Sequence, residues 1–116
     1  LTIEADSEKL ARVFNNILKN AASYSLPHTE IVISAEKLEH EVIIRFQNSG
    51  EDIPNEALAS LFNKFYRVDQ SRPSDTGGTG LGLAIAKEIV TLHGGAISAS
   101  SKNHVVTFTV SLPLSN

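Results

Sequence analysis

The chain has 116 residues, 41% hydrophobic and 20% charged, which fits one domain over residues 1–116 with a single core and predicts a globular rather than a disordered chain. A net charge of -3 supplies no basic footprint for a nucleic acid, and the absence of cysteine excludes a disulfide framework, a thiolate zinc site and a cysteine nucleophile. No apolar run approaches membrane-spanning length and no signal-peptide pattern opens the chain; a start at Leu1 with no methionine anywhere is expected of a piece of a longer polypeptide. Residues 7–24 read as a helix, because Leu10, Val13, Phe14, Ile17, Leu18 and Ala21 form an apolar stripe at helical spacing and Asp6 or Ser7 can cap its start. Pro27 and His28 follow in a turn. The stretches 30–37 and 40–48 read as two strands joined tightly at Leu38-Glu39. Residues 54–62 read as a short helix with Pro54 near its first turn, and 67–80 as a polar loop. An apolar helix over 81–93, closed by Gly94-Gly95, leads into two further strands at 96–100 and 105–113. Paired strands with helices inserted between the pairs predict an α+β, two-layer sandwich with helices on one face of a mixed sheet.

Three groups of residues suggest chemistry. Asn16 and Asn20 are four apart on the first helix, roughly 40° apart around its axis, at the edge of the apolar stripe. Amides at the rim of a core can border a pocket, and an amide oxygen is a neutral hard ligand suited to Mg²⁺. The bland alternative is a pair of solvated helix residues. Asn48 is in phase with Val42, Ile44 and Phe46 on the second predicted strand, so it points toward the core; equally, it can start the following turn as an Asx cap. Gly78, Gly80 and Gly82 alternate just where the apolar helix begins. Glycine lets backbone N–H groups approach an anion, a helix N-terminus favours negative charge, and Arg67 and Arg72 upstream can reach phosphate oxygens. Without Lys-Ser/Thr this is no P-loop, and with no preceding strand it is no dinucleotide-binding turn. A flexible loop is the ordinary reading of such a run.

The order of "NILKNAASYS", "QNSGEDIP", "LFNKFYRVDQSRP" and "GGTGLGLAIAKEIVTLHGG" resembles the catalytic, ATP-binding domain of sensor histidine kinases over essentially the whole chain. This family shares its nucleotide fold with gyrase, Hsp90 and MutL. "QNSGEDIP" beside "KFYRVDQSRPSDTGGTG" is similar, more narrowly, to vancomycin-resistance sensor kinases. The resemblance implies the Bergerat form of the two-layer α/β sandwich, with ATP and Mg²⁺ as cofactors. Asn16 and Asn20 fall on the N box, with Asn20, assisted by Asn16, as the implied metal ligand and Tyr24 as its aromatic neighbour. Asn48, Gly50 and Ile53 fall on the G1 box, whose first position reads the adenine amino group. Phe62, Phe65 and Tyr66 fall on the F box, and Lys64, Arg67 and Arg72 on basic positions near the phosphates. Gly78, Thr79, Gly80, Leu81, Gly82 and Leu83 fall on the G2 box, with residues 67–80 as the ATP lid and the phosphates held at the helix start.

Three positions depart from the family pattern. Asn48 stands where the adenine-reading Asp is usual, Asp52 stands at the second G1 glycine, and Ser23 stands where a basic residue often precedes the aromatic Tyr24. Asn16 occupies the position filled by Glu in the hydrolytic relatives, and a neutral amide is a poor general base toward water. None of His28, His40, His93 and His104 lies in the family's acceptor-histidine context; His93 suits a helix C-terminus. The resemblance therefore implies a protein-histidine kinase domain, inactive alone, whose acceptor histidine lies on a separate dimerisation domain of the same protein and whose phosphate passes to a response regulator. It implies a monomeric domain in a homodimeric protein, with no nucleic-acid partner, on the cytoplasmic side of a membrane-anchored sensor. The rivals are a degenerate docking module and a hydrolytic ATPase of the same fold.

Overall fold

The computed structural model describes residues 5–64 and 81–114. Helix α1 (Ser7–Tyr24) starts where the Asp6 side chain accepts from the backbone N–H groups of Glu8 and Lys9, at 3.0 and 3.1 Å. That satisfies two of the donors every helix start leaves open. Its stripe buries Leu10, Val13, Ile17 and Ala21, the three larger side chains each contributing about 1.5–3 kcal/mol by leaving water. Phe14 packs beside them, its ring 5.8 Å from that of Phe46.

Strands β1 (Ile31–Lys37) and β2 (Glu41–Ser49) form a hairpin closed by a bond from the Leu38 N–H to the Glu41 carbonyl. Helix α2 (Asn55–Ser60), opened by Pro54, and helix α3 (Gly82–Leu92) precede a second hairpin, β3 (Ala96–Lys102) and β4 (Val105–Pro113). The sheet order is β1-β2-β4-β3. Every described pairing is antiparallel, which corrects the expected mixed sheet for these residues. The reason is topological. The crossover from β2 brings β4, not β3, alongside β2; β3 is the strand that runs parallel to β2, and it lies beyond β4 without touching it.

Alternation along the strands sorts the two faces. Val42, Phe46 and Asn48 of β2 and Val106, Phe108, Val110 and Leu112 of β4 are buried. Thr107, Thr109 and Ser111 are half-buried on the other face. Helices α1 and α3 cover the apolar face, α3 adding Leu83, Ala86, Ile89 and Val90 to the core. No helix among the described residues is long and apolar enough to cross a membrane.

The end of α3 is tied down from both sides. The Gly95 N–H donates to the Val90 carbonyl and the Gly94 N–H to that of Thr91, with Gly94 at φ 79, the left-handed stop that glycine makes without penalty. His93 then stitches the two helices together. Its Nε2 accepts from the Asp6 backbone N–H at 3.1 Å and its Nδ1–H donates to the Ile89 carbonyl at 2.9 Å, so the neutral ring uses both nitrogens.

Candidate functional site

Asn48 is the one buried polar side chain among the described residues, 3% exposed. It sits on the inner face of β2, opposite Ile31 of β1 and Val106 of β4. Its Oδ1 and Nδ2 are both buried and neither has a partner. An Asx cap would use Oδ1, so the strand phase, not the turn, sets this side chain's direction.

The segment after Asn48 is fastened to the far hairpin. The Gly50 N–H donates to the His104 carbonyl at 3.0 Å, Asp52 Oδ1 accepts from the His104 N–H at 2.7 Å, and Ser101 Oγ accepts from the Ile53 N–H at 2.8 Å. Asn103 and His104 form the two-residue β3–β4 turn with φ of 53 and 63, positive values that cost a non-glycine residue on the order of 1 kcal/mol. The clamp on both backbone groups of His104 offsets that strain. One oxygen of the exposed Asp52 carboxylate thus holds the turn. Gly50 is buried, and Ile53 belongs to the core. Together they hold the end of β2, and with it Asn48, in a fixed place.

On α1, Asn16 and Asn20 are both half-buried. The Asn16 Nδ2 donates to the Gly82 carbonyl at 3.1 Å, joining the N-box helix to the first residue of α3. Asn20 Oδ1 is buried with no partner. Three orphaned atoms, from Asn20 and Asn48, are therefore the buried side-chain polar atoms left unpaired among the described residues, each at a desolvation cost of about 1–3 kcal/mol. The amide oxygens of Asn20 and Asn16 are of the hard, neutral kind that fits Mg²⁺; the bond to Gly82 engages only the Asn16 Nδ2. Tyr24 is the last residue of α1.

Leu81 precedes the first turn of α3, and among the described residues no side chain caps that turn or places an acid in it. A helix start of this kind can receive an anion on its backbone N–H groups. Leu83 itself is core. A Cβ built on Gly82 meets Asn16 only at ordinary contact distances, 3.6 Å at the nearest. Gly82→Ala is therefore expected to fold with an unchanged denaturation midpoint. A loss of nucleotide affinity in that variant would mean that the ligand, rather than protein packing, requires the glycine. A lowered midpoint would refute this reading of the contact.

Phe62 and Lys64 stand apart from this group. Phe62 packs edge-on against Phe108, with ring centroids 6.5 Å apart. Both residues line a cleft of about 450 Å³ with Ala84, Lys87, Glu88 and Leu92 of α3, and neither Asn16, Asn20 nor Asn48 borders it. Phe65, Tyr66, Arg67, Arg72, Gly78, Thr79 and Gly80, with the expected lid, lie outside the described residues. Sequence reasoning missed Ser101 and His104 as supports of the site. The Asn-His pair between two predicted strands was the available turn signal for the second.

A helical layer thus lies on an antiparallel sheet, with unpaired buried amide atoms at Asn20 and Asn48. The chain belongs to the histidine kinase-, DNA gyrase B-, and HSP90-like ATPase family, whose model matches residues 5–116. It is 57% identical over 113 residues to the sensor protein VanS of Enterococcus faecium, covering 97% of this chain and 29% of that protein. It is 50% identical over 109 residues to the sensor protein VanSC of Enterococcus gallinarum, covering 93% of this chain and 30% of that protein. The chain thus spans less than a third of these relatives' length. Among solved structures, the catalytic domain of histidine kinase ThkA matches with a TM-score of 0.83 at 30% identity, over 98% of this chain and 73% of that one. A mycobacterial sensor histidine kinase, MprB, matches with a TM-score of 0.85 at 28% identity, over 97% of this chain and 76% of that one. The expected two-layer sandwich and the resemblance to sensor histidine kinases both hold.

Proposed function

We propose that this chain binds Mg-ATP and presents the γ-phosphate to a histidine on another domain of the same protein, for relay to a response regulator. The observation that carries this is the set of orphaned amide atoms at Asn20 and Asn48. A core that pairs its other described buried side-chain polar atoms keeps these open at a cost in stability, which a ligand that pairs them repays. In this reading Asn48 meets the base, and the uncapped start of α3 receives the phosphates. Asn20 holds the metal, whose charge when bound offsets that of the phosphate oxygens. Asn16 ties α1 to the start of α3 through Gly82. Arg67 and Arg72 complete the phosphate contacts. Positioning and charge neutralisation carry most of phosphoryl transfer, so few side-chain catalysts are needed.

One observation weighs against the hydrolytic rival. Asn16 is a neutral amide engaged with a carbonyl, not a base facing water, which disfavours hydrolysis. The protein carrying this domain is taken to be a membrane-anchored sensor with the domain on its cytoplasmic side. Calorimetric titration of the chain with ATP, with and without Mg²⁺, tests the binding step. Saturable binding that weakens without the metal is expected, and no binding under either condition overturns the proposal.

A further inference from the structure

We infer that Asn48 makes the base pocket two-faced, so that it accepts 6-oxopurine nucleotides, inosine and guanosine triphosphates, as well as ATP. This rests on the nucleotide reading above and specifies its substrate class.

The starting point is that both polar atoms of Asn48 are buried and unpartnered while the residue itself is 3% exposed. A carboxylate in this place would offer acceptors only. An amide offers an acceptor and a donor side by side. Adenine presents an amino donor at C6 beside the N1 acceptor. Asn48 Oδ1 can accept from the first while Nδ2 donates to the second. Hypoxanthine and guanine present the reverse, a carbonyl at C6 beside an N1–H. Turning the amide over lets Nδ2 donate to the carbonyl and Oδ1 accept from N1–H. The terminal torsion of Asn is broad and roughly two-fold, so both orientations are accessible. Among the described residues nothing selects between them, because a hydrogen bond to either amide atom would fix the orientation and neither atom has one.

The backbone holds the amide in place while leaving its rotation free. Ser49 and Gly50 are pinned by the Leu26 N–H and the His104 carbonyl, so Asn48 cannot withdraw from the base. Its flanking partners in the sheet, Ile31 and Val106, have no polar side-chain atoms to compete for it. The side chain therefore takes its orientation from the base.

The test is a calorimetric titration of the chain and of its Asn48→Asp variant with ATP, ITP and GTP in Mg²⁺. In the unaltered chain, ITP is expected to bind within about tenfold of ATP, and GTP likewise if the pocket admits the 2-amino group. In Asn48→Asp, the carboxylate repels the C6 carbonyl, and the preference for ATP over ITP is expected to widen by about tenfold to a hundredfold. ITP bound and GTP refused still supports the two-faced amide and restricts it to bases without a 2-amino group. An unaltered chain that binds ATP but refuses both ITP and GTP overturns the inference and leaves the ATP reading standing. Failure to bind any of the three overturns the ATP reading itself. The unaltered chain's ratios decide the matter even if the variant fails to fold.

Discussion

Asn20→Ala is expected to remove metal-dependent ATP binding while leaving the domain at least as stable as before. The two effects have one cause. Asn20 Oδ1 is buried without a partner, so in the ligand-free domain it lowers stability. Alanine removes that atom, leaves Val13, Ile17 and Ala21 of the stripe in place, and is the better helix former by up to about 0.7 kcal/mol. With Mg-ATP present the balance reverses, since the same oxygen is the hard ligand the metal needs. A loss of more than about tenfold in ATP affinity is expected in Mg²⁺, corresponding to at least ~1.4 kcal/mol, with little change in EDTA. Paired calorimetric and thermal-unfolding measurements check it. A variant that unfolds would make Asn20 a structural residue, and one that keeps its magnesium dependence would place the metal elsewhere.

Gly95→Ala should be the most damaging small substitution to the fold. A Cβ at Gly95 would lie 2.1 Å from the Ser111 carbonyl oxygen and 3.1 Å from Leu112 Cδ2. The oxygen belongs to β4, which is paired on both sides, so it cannot retreat without disturbing β2 and β3 as well. Overpacking against movable side chains costs about 1–3 kcal/mol, and a backbone clash in the centre of the sheet falls at or above the top of that range. For a domain stable by about 5–15 kcal/mol this is a large fraction. At Gly94 the limit is the positive φ and not space, so Gly94→Asn is expected to cost far less. Urea titration of both variants should show a large drop in midpoint for Gly95→Ala alone. Equal midpoints would contradict the packing account.

These two sites also mark what local sequence patterns reveal. The stripe from Leu10 to Ala21 and the alternation from Val105 to Pro113 set α1 and β4 residue for residue, because both depend only on periodicity. The inward phase of Asn48 follows from the same rule. Strand order does not: the separation of β3 from β2 depends on how the chain crosses over, so an antiparallel sheet was read as mixed. The bond from the His104 N–H to Asp52 Oδ1 spans 52 positions. The Asn16 Nδ2 bond to the Gly82 carbonyl, which ties α1 to α3, spans 66 positions. Long-range side-chain-to-backbone bonds leave no periodic trace, and here they fix how α1 meets α3 and how the β3–β4 turn is held.

Phosphoryl transfer can be followed in the full-length protein. ATP labelled at the γ-phosphate is incubated with Mg²⁺ and either this chain alone or the full-length protein, and acid-labile label is followed on each. The account predicts label on a histidine outside residues 1–116 in the full-length protein, none on the isolated chain, and loss of labelling in Asn20→Ala. Stable acid-labile label on the isolated chain, or release of inorganic phosphate with no transfer to any histidine, would contradict it.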